Sequence, residues 1–332
     1  MRTLKFEDFE SYDIIYNNED KESDQSKHWN KLKEYDRNWY TDFNSICGGS
    51  MPKIFARCDS SVLKKLFAEL RKPDCKFETY INDLVHSSQF DETPPIKKVS
   101  VLLKQTHGVN ASSIEELASV TANALSIPTV FNQAIMIDGK EYTLSVDFVK
   151  QNETMTPMLF CENLNEYFLE ESLDYLDDYL SIFVPNLHKE DFHQIRNDFI
   201  PIYFFRKYVI KDRDFCGKNM GILYNEKTQR HSLGPCFDME CSFRAPVIDH
   251  TYEHLDADLK TSMQKFPQTT KIMIDRFKKA IAQNKIQSEI ENCDISKDKQ
   301  EAINFVTNNI LMVVERYDAL TKEHEAKLEK IL

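Results

Sequence analysis

Asp214 and Asn219 stand five residues apart in IKDRDFCGKNMGIL, and Asp238 follows 19 residues later in GPCFDMECSF. A carboxylate, an amide and a second carboxylate in this order suit phosphoryl transfer. One acid can orient an acceptor hydroxyl and take its proton, while the amide oxygen and the other acid hold Mg²⁺ against phosphates. Lys218 precedes Asn219, where an ammonium could meet charge on the group in transfer. The Asp-x-x-x-x-Asn spacing also recurs by chance, and Asp212, Asp214 and Asn219 equally suit a solvated turn.

The elements upstream narrow the choice. Gly48 and Gly49 are adjacent in SICGGSMPKIFAR, in a chain with only seven glycines. A glycine pair makes a tight turn whose backbone N–H groups can face a ligand. KKVSVLLKQ reads as a strand that brings Lys104 near its end. A helix follows, with Ser112 or Ser113 as its cap and Glu115 and Glu116 in its first turn. Its apolar face is Leu117, Val120, Ala124 and Leu125. AIMIDGKEYTLSVDFV then reads as a hairpin about Asp138-Gly139. Glycine turn, strand lysine, acidic helix, hairpin and Asp…Asn…Asp loop is the part order of a protein kinase. In that order Lys104 neutralises phosphate charge and Glu115 holds the lysine by an ion pair. An extended connector at Phe148 and Val149, running to Lys150, offers backbone groups to adenine. As a surface feature, Lys104 would be a strand-end lysine and Glu115 an acid complementing a helix dipole.

Several segments resemble the HipA-like kinases, the toxin kinases of bacterial toxin–antitoxin systems and their effector relatives. GGSMPK resembles the family's phosphate loop, which places Gly48, Gly49, Ser50 and Lys53 around nucleotide. IEELASVTANALSIP resembles its regulatory helix, with Glu115, Ala122 and Leu125 on the usual Glu, Ala and Leu. DFCGKN resembles its catalytic loop, although Phe215, Cys216 and Gly217 replace a stretch that often carries histidine. LGPCFDMECSF resembles its metal segment. The resemblance implies Mg-ATP-dependent Ser/Thr phosphorylation of a protein substrate, with Asp214 and Lys218 catalytic and Asn219 and Asp238 on the metal. It also implies an antitoxin or other regulatory protein as partner, and autophosphorylation near the phosphate loop, at Ser45 or Ser50. The usual N-terminal subdomain of the family is not recognisable in residues 1–40. A pseudokinase-type nucleotide- or protein-binding module, and a phosphotransferase acting on a lipid or small molecule, use the same parts.

The expected fold class is α+β, bilobal and protein-kinase-like, with a small strand-rich N-lobe and a larger, mostly helical C-lobe. Residues 1–40 read as a polar extension, 41–155 as the N-lobe with an insertion at about 59–95, and 156–332 as the C-lobe. In the last part a hairpin turns at Asn225 to Thr228, and Ile303, Val306, Ile310, Val313, Tyr317 and Leu320 form one core stripe. The net charge of -12 speaks against direct nucleic-acid binding, which requires a basic patch. The longest apolar run, Ile200 to Phe205, is far short of a membrane span, and MRTLKFEDFE lacks the apolar stretch of a signal peptide. Eight cysteines without a CxxC pair suit free thiols in a reducing cytoplasm. The expected location is a bacterial cytoplasm, or a host cell after secretion as an effector.

Overall fold

The structure is a computed structural model. It describes residues 2–4, 9–16, 53–59, 98–105, 111–137, 139–146, 148–149, 153–158, 163–243, 252–293, 295 and 298–329. Gly48, Gly49, Ser50, Ser45, Asp138, Lys150 and residues 60–95 of the expected insertion lie outside them.

Among the described residues, the first part is a six-stranded sheet with one helix. Its strands are β1 (Arg2–Leu4), β2 (Phe9–Tyr16), β3 (Lys53–Asp59), β4 (Lys98–Gln105), β5 (Asn132–Ile137) and β6 (Lys140–Val146). They lie in the order β1-β5-β6-β4-β3-β2. β1 runs parallel to β5, and the other pairings are antiparallel. The hairpin between β5 and β6 turns through Gly139 at φ +77, a left-handed conformation that glycine adopts without a Cβ clash. The polar extension is therefore not separate from the lobe: its residues 2–4 and 9–16 supply both edge strands. FESYDIIY is aromatic and β-branched, as a strand requires, but the charged stretch after it dominates the composition of residues 1–40.

Helix α1 (Ala111–Ala124) packs against β5 and β6. Ser112 and Ser113 lie inside it rather than capping it, and Glu115 and Glu116 fall in its second turn. Its polar residues are buried along with its apolar ones, so it has no solvated face over Ala111 to Ala122. Two of them bond to carbonyls: Ser119 Oγ donates to Val130 O at 2.8 Å and Thr121 Oγ1 to Leu117 O at 2.7 Å. Glu116 Oε2 accepts from Gln133 Nε2 at 2.8 Å and Ala134 N at 2.9 Å, which fixes the helix to β5.

A second sheet, β7 (Glu153–Pro157), β8 (Gly221–Asn225) and β9 (Arg230–Leu233), stands at the start of the mostly helical part. β8 and β9 form the expected hairpin, with Asn225 Oδ1 accepting from Lys227 N at 3.1 Å and Thr228 N at 3.0 Å. The helices are α2 (Leu169–Phe183), α3 (Lys189–Phe204), α4 (Tyr252–Lys265), α5 (Pro267–Ala282), α6 (Lys285–Glu291) and α7 (Lys299–Glu329). FHQIRNDF and IPIYFFRKYVI are one element: α3 runs through Pro201 and ends in a π-helical turn, Phe205–Val209. On α7, Ile303, Val306, Ile310, Val313 and Leu320 are buried in the core, and Tyr317 packs against it. α6 packs against α1, with Ile286 and Ile290 in the same core as Ile114, Leu117 and Ala118.

Candidate active site

Lys104 is the second-last residue of β4, opposite Thr143 of β6 and Lys53 of β3 in register. It is buried, at 5% exposure, so its ammonium needs compensation inside the protein. Three carboxylates supply it. Glu115 Oε2 of α1 lies at 3.4 Å, Glu240 Oε2 at 2.9 Å, and Asp238 Oδ1 in closer contact. Burial alone would lower the Lys104 pKa, but Asp238, Glu115 and Glu240 together hold it well above the usual lysine value. Burial pushes the Glu115 carboxyl up to about 7 against the pull of Lys104, with Asp238 and Glu240 adding to the rise.

Asp238 sits in the left-handed region at φ 55, outside the preferred space of a residue with a side chain. Its segment is tied to the connection between α1 and β5: Val130 N donates to Cys236 O and Cys236 N to Pro128 O, both at 2.9 Å. Phe237 stacks on Phe148 with ring centroids 6.0 Å apart. Phe148 and Val149 are buried with Val130 and Met155, so the connector after β6 packs beside the Asp238 segment.

The Asp214 loop follows the π-helical turn. Asp214 and Lys218 are exposed, whereas Asn219 is buried in a 3₁₀ turn, Gly217–Asn219. Asn219 Nδ2 donates to Asp214 O at 2.9 Å and to Asp214 Oδ2 at 3.2 Å, so the five-residue spacing closes on itself. Leu164 N donates to Phe215 O at 2.7 Å, and Asn165 Nδ2 to Asp212 O at 2.6 Å, which pins the loop from the other side. Behind it, Gly221 and Gly234 approach backbone to backbone, Gly234 N donating to Gly221 O at 2.7 Å. A Cβ on Gly221 would meet the Met155 side chain at 2.9 Å.

Asp212 is not in a solvated turn. It is fully buried, and Arg206 Nε and Nη2 donate to its Oδ2 at 2.8 and 2.5 Å. Neither Arg206 nor Glu240 was singled out from the sequence. Arg206 sits in an apolar helical run, and only the pair of charges Arg206-Lys207 among PIYFFRKYVI signals buried partners. Glu240 is two residues beyond Asp238, a spacing that shares a face only in an extended chain, and the backbone here turns at Asp238.

The structure thus brings Lys104, Glu115 and Asp238 together, and places Asp214 beside Asn219. Among the described residues, Glu115, Asp238 and Glu240 offer carboxylate oxygens all within 4.8 Å of one another. With Lys104 included, three carboxylates against one ammonium leave a formal excess of two negative charges. That donor set fits a hard divalent cation with oxygen ligands. No helix among the described residues is long and apolar enough to cross a membrane.

No protein-family model matches the chain, and no curated protein matches it in sequence. Among solved structures it is similar to a Helicobacter pylori proinflammatory kinase, CtkA, at 15% identity and a TM-score of 0.47, over 67% of this chain and 92% of that one. It is also similar to HipA of a Shewanella oneidensis toxin–antitoxin system, from a complex with HipB and operator DNA. That likeness has 11% identity and a TM-score of 0.41, over 68% of this chain and 59% of the other. Both likenesses are remote, and the chemistry of the site rests on its own geometry.

Proposed function

We propose that the chain binds magnesium–ATP and transfers the γ-phosphoryl group to a Ser or Thr hydroxyl of a protein. The observation that supports this most is the meeting of Lys104 with Glu115 and Asp238, two residues 134 apart in the case of Lys104 and Asp238. A lysine held by a helix glutamate beside a metal-type aspartate is what phosphoryl transfer needs in order to position nucleotide phosphates.

Bound magnesium–ATP would supply the phosphoryl group and the positive charge that offsets its oxygens. Asp238 and Asn219 would hold the cation, and Glu240 adds a second carboxylate. Lys104 would turn from these carboxylates to phosphate oxygens while Glu115 keeps its ammonium in place. Gly48, Gly49, Ser50 and Lys53 would cover the phosphates, and the Phe148–Val149 connector would face adenine. Asp214, exposed at the loop, would take the proton of the acceptor hydroxyl, and Lys218 beside it would meet charge on the moving group. The motif resemblance adds autophosphorylation at Ser45 or Ser50 and a regulatory or antitoxin partner to the proposal.

The deciding assay incubates the purified protein with γ-labelled ATP and Mg²⁺, with and without cell lysate. Label should enter protein as phosphoserine or phosphothreonine. Label confined to lipid or a soluble product would make it another phosphotransferase, and binding of ATP without transfer would make it a binding module.

A further inference from the structure

Arg206 stands in the π-helical turn that ends α3, with no exposed surface. Its guanidinium reaches the main chain of the candidate catalytic and metal residues. Nη1 donates to Asn219 O at 3.0 Å, and Nη2 points to Asp214 O and to Asp238 O, each at 3.5 Å. Nε and Nη2 hold Asp212 Oδ2, while Asp212 Oδ1 accepts from Asp214 N at 3.1 Å. The Phe215 ring lies against the guanidinium, 5.0 Å from centroid to carbon.

We infer that Arg206 is a positioning residue that sets the Asp214–Asn219 loop and the Asp238 segment in register, with Asp212 as its counterion. The inference rests on the phosphoryl-transfer reading for its catalytic consequence. Two segments 19 residues apart have to converge on one cation, and Asp238 does so at a backbone conformation its own preferences disfavour. A planar group with five donors in a fixed fork can address several carbonyls at once, and its contacts to Asp214, Asn219 and Asp238 are to backbone, so they fix where each side chain begins. Arg206 lies in the π-helical turn, buried against the Asp214–Asn219 loop. A lysine there would preserve the charge opposite Asp212 but not the fork.

Arg206→Lys is therefore the informative variant. Expected is a kcat lower by about 10²-fold, the scale set by misplacement of reacting groups of about 1 Å. The half-saturating Mg²⁺ concentration should rise, with little change in KM for ATP, because the hydrogen bonds of Arg206 go to Asp212, Asp214, Asn219 and Asp238. Activity is expressed per folded molecule, from circular dichroism at the assay temperature. Amide hydrogen exchange without nucleotide is read in parallel. It should quicken over 212–220 and 236–241 and nowhere else, since these are the segments the fork holds.

Wild-type kcat and Mg²⁺ dependence in Arg206→Lys, or unchanged exchange in those two segments, overturns the inference. A wild-type protein that transfers no phosphate sinks the functional reading instead, and the exchange result still decides the clamp. If Arg206→Lys does not fold, the charge-free pair Arg206→Met with Asp212→Asn takes its place with the same expectations. Failure of both to fold at 10 °C assigns Arg206 to the fold alone and overturns the inference.

Discussion

Lys104 shows how one residue type changes meaning with burial. An exposed lysine at a strand end does little, but this one is 5% exposed and faces three carboxylates. Asp214 and Asp238 are exposed and half-buried respectively, so removing either leaves no packed cavity. Asp214→Ala and Asp238→Ala should each lower transfer by about 10²-fold or more while the fold is kept, the scale of a lost acid–base or metal role. Asp238→Ala should also weaken magnesium–ATP binding, and Asp214→Ala should spare it. Steady-state kinetics with isothermal titration checks both, and near-normal turnover in either variant contradicts the assignment. Glu240→Gln separates the newly found carboxylate from its neighbours: the half-saturating Mg²⁺ concentration should rise and KM for ATP should change less. An unchanged Mg²⁺ dependence would leave Glu240 as a partner of Lys104 only.

Between elements, two contacts carry testable energy. Asn309 of α7 is buried, and its Nδ2 donates to Val209 O at 2.9 Å, at the end of the π-helical turn. Such a turn shifts backbone carbonyls away from their usual partners. Asn309→Ala should cost about 1–3 kcal/mol, the desolvation of a buried carbonyl left unmatched, read by urea unfolding. Asp191, in the first turn of α3, joins that helix to β9. It takes hydrogen bonds from the Arg230 side chain and, at 2.8 Å, from His231 N. Burial would raise its carboxyl pKa, but Arg230 and the His231 amide outweigh burial and hold it below the ordinary value. A depressed acid stabilises the fold above its unfolded pKa, and that contribution is lost as pH falls through the lower, folded value. Asp191→Ala should thus be destabilising at pH 6, and the gap to wild type should shrink as pH falls below about 4. A gap that is constant from pH 6 to pH 3 would contradict this linkage.

At the scale of the whole molecule, α6 of the helical part packs on α1, the helix that carries Glu115. The ion pair with Lys104 is therefore supported from outside the first sheet, by Ile286 and Ile290 in a shared core. A ligand bound where the sheet and the Asp238 segment meet should stabilise the fold by mass action. Magnesium–ATP at about a hundred times its Kd should add about 2.7 kcal/mol, a rise of several degrees in Tm. Asp214→Ala should keep that rise and Asp238→Ala should lose most of it, which thermal shift with and without Mg²⁺ would show.

The sequence by itself determined the kinds of element and their order: strand lysine, helix acid, hairpin, Asp…Asn loop and second hairpin follow from local periodicity and turn chemistry. It also marked Lys104, Glu115, Asp214, Asn219 and Asp238, because fixed spacing and part order are local properties. It marked Glu115 as the partner of Lys104 but gave no partner to the adjacent Glu116, and only packing against β5 engaged Glu116 with Gln133 and Ala134. Tertiary structure alone decided that residues 2–4 and 9–16 close the edges of the sheet, since strand pairing is non-local and their neighbours are charged. It alone decided that Asp212 is buried on Arg206 and that Glu240 joins the lysine. Both depend on where a π-helical turn and a left-handed aspartate aim the chain, and neither rotation is written in residue types.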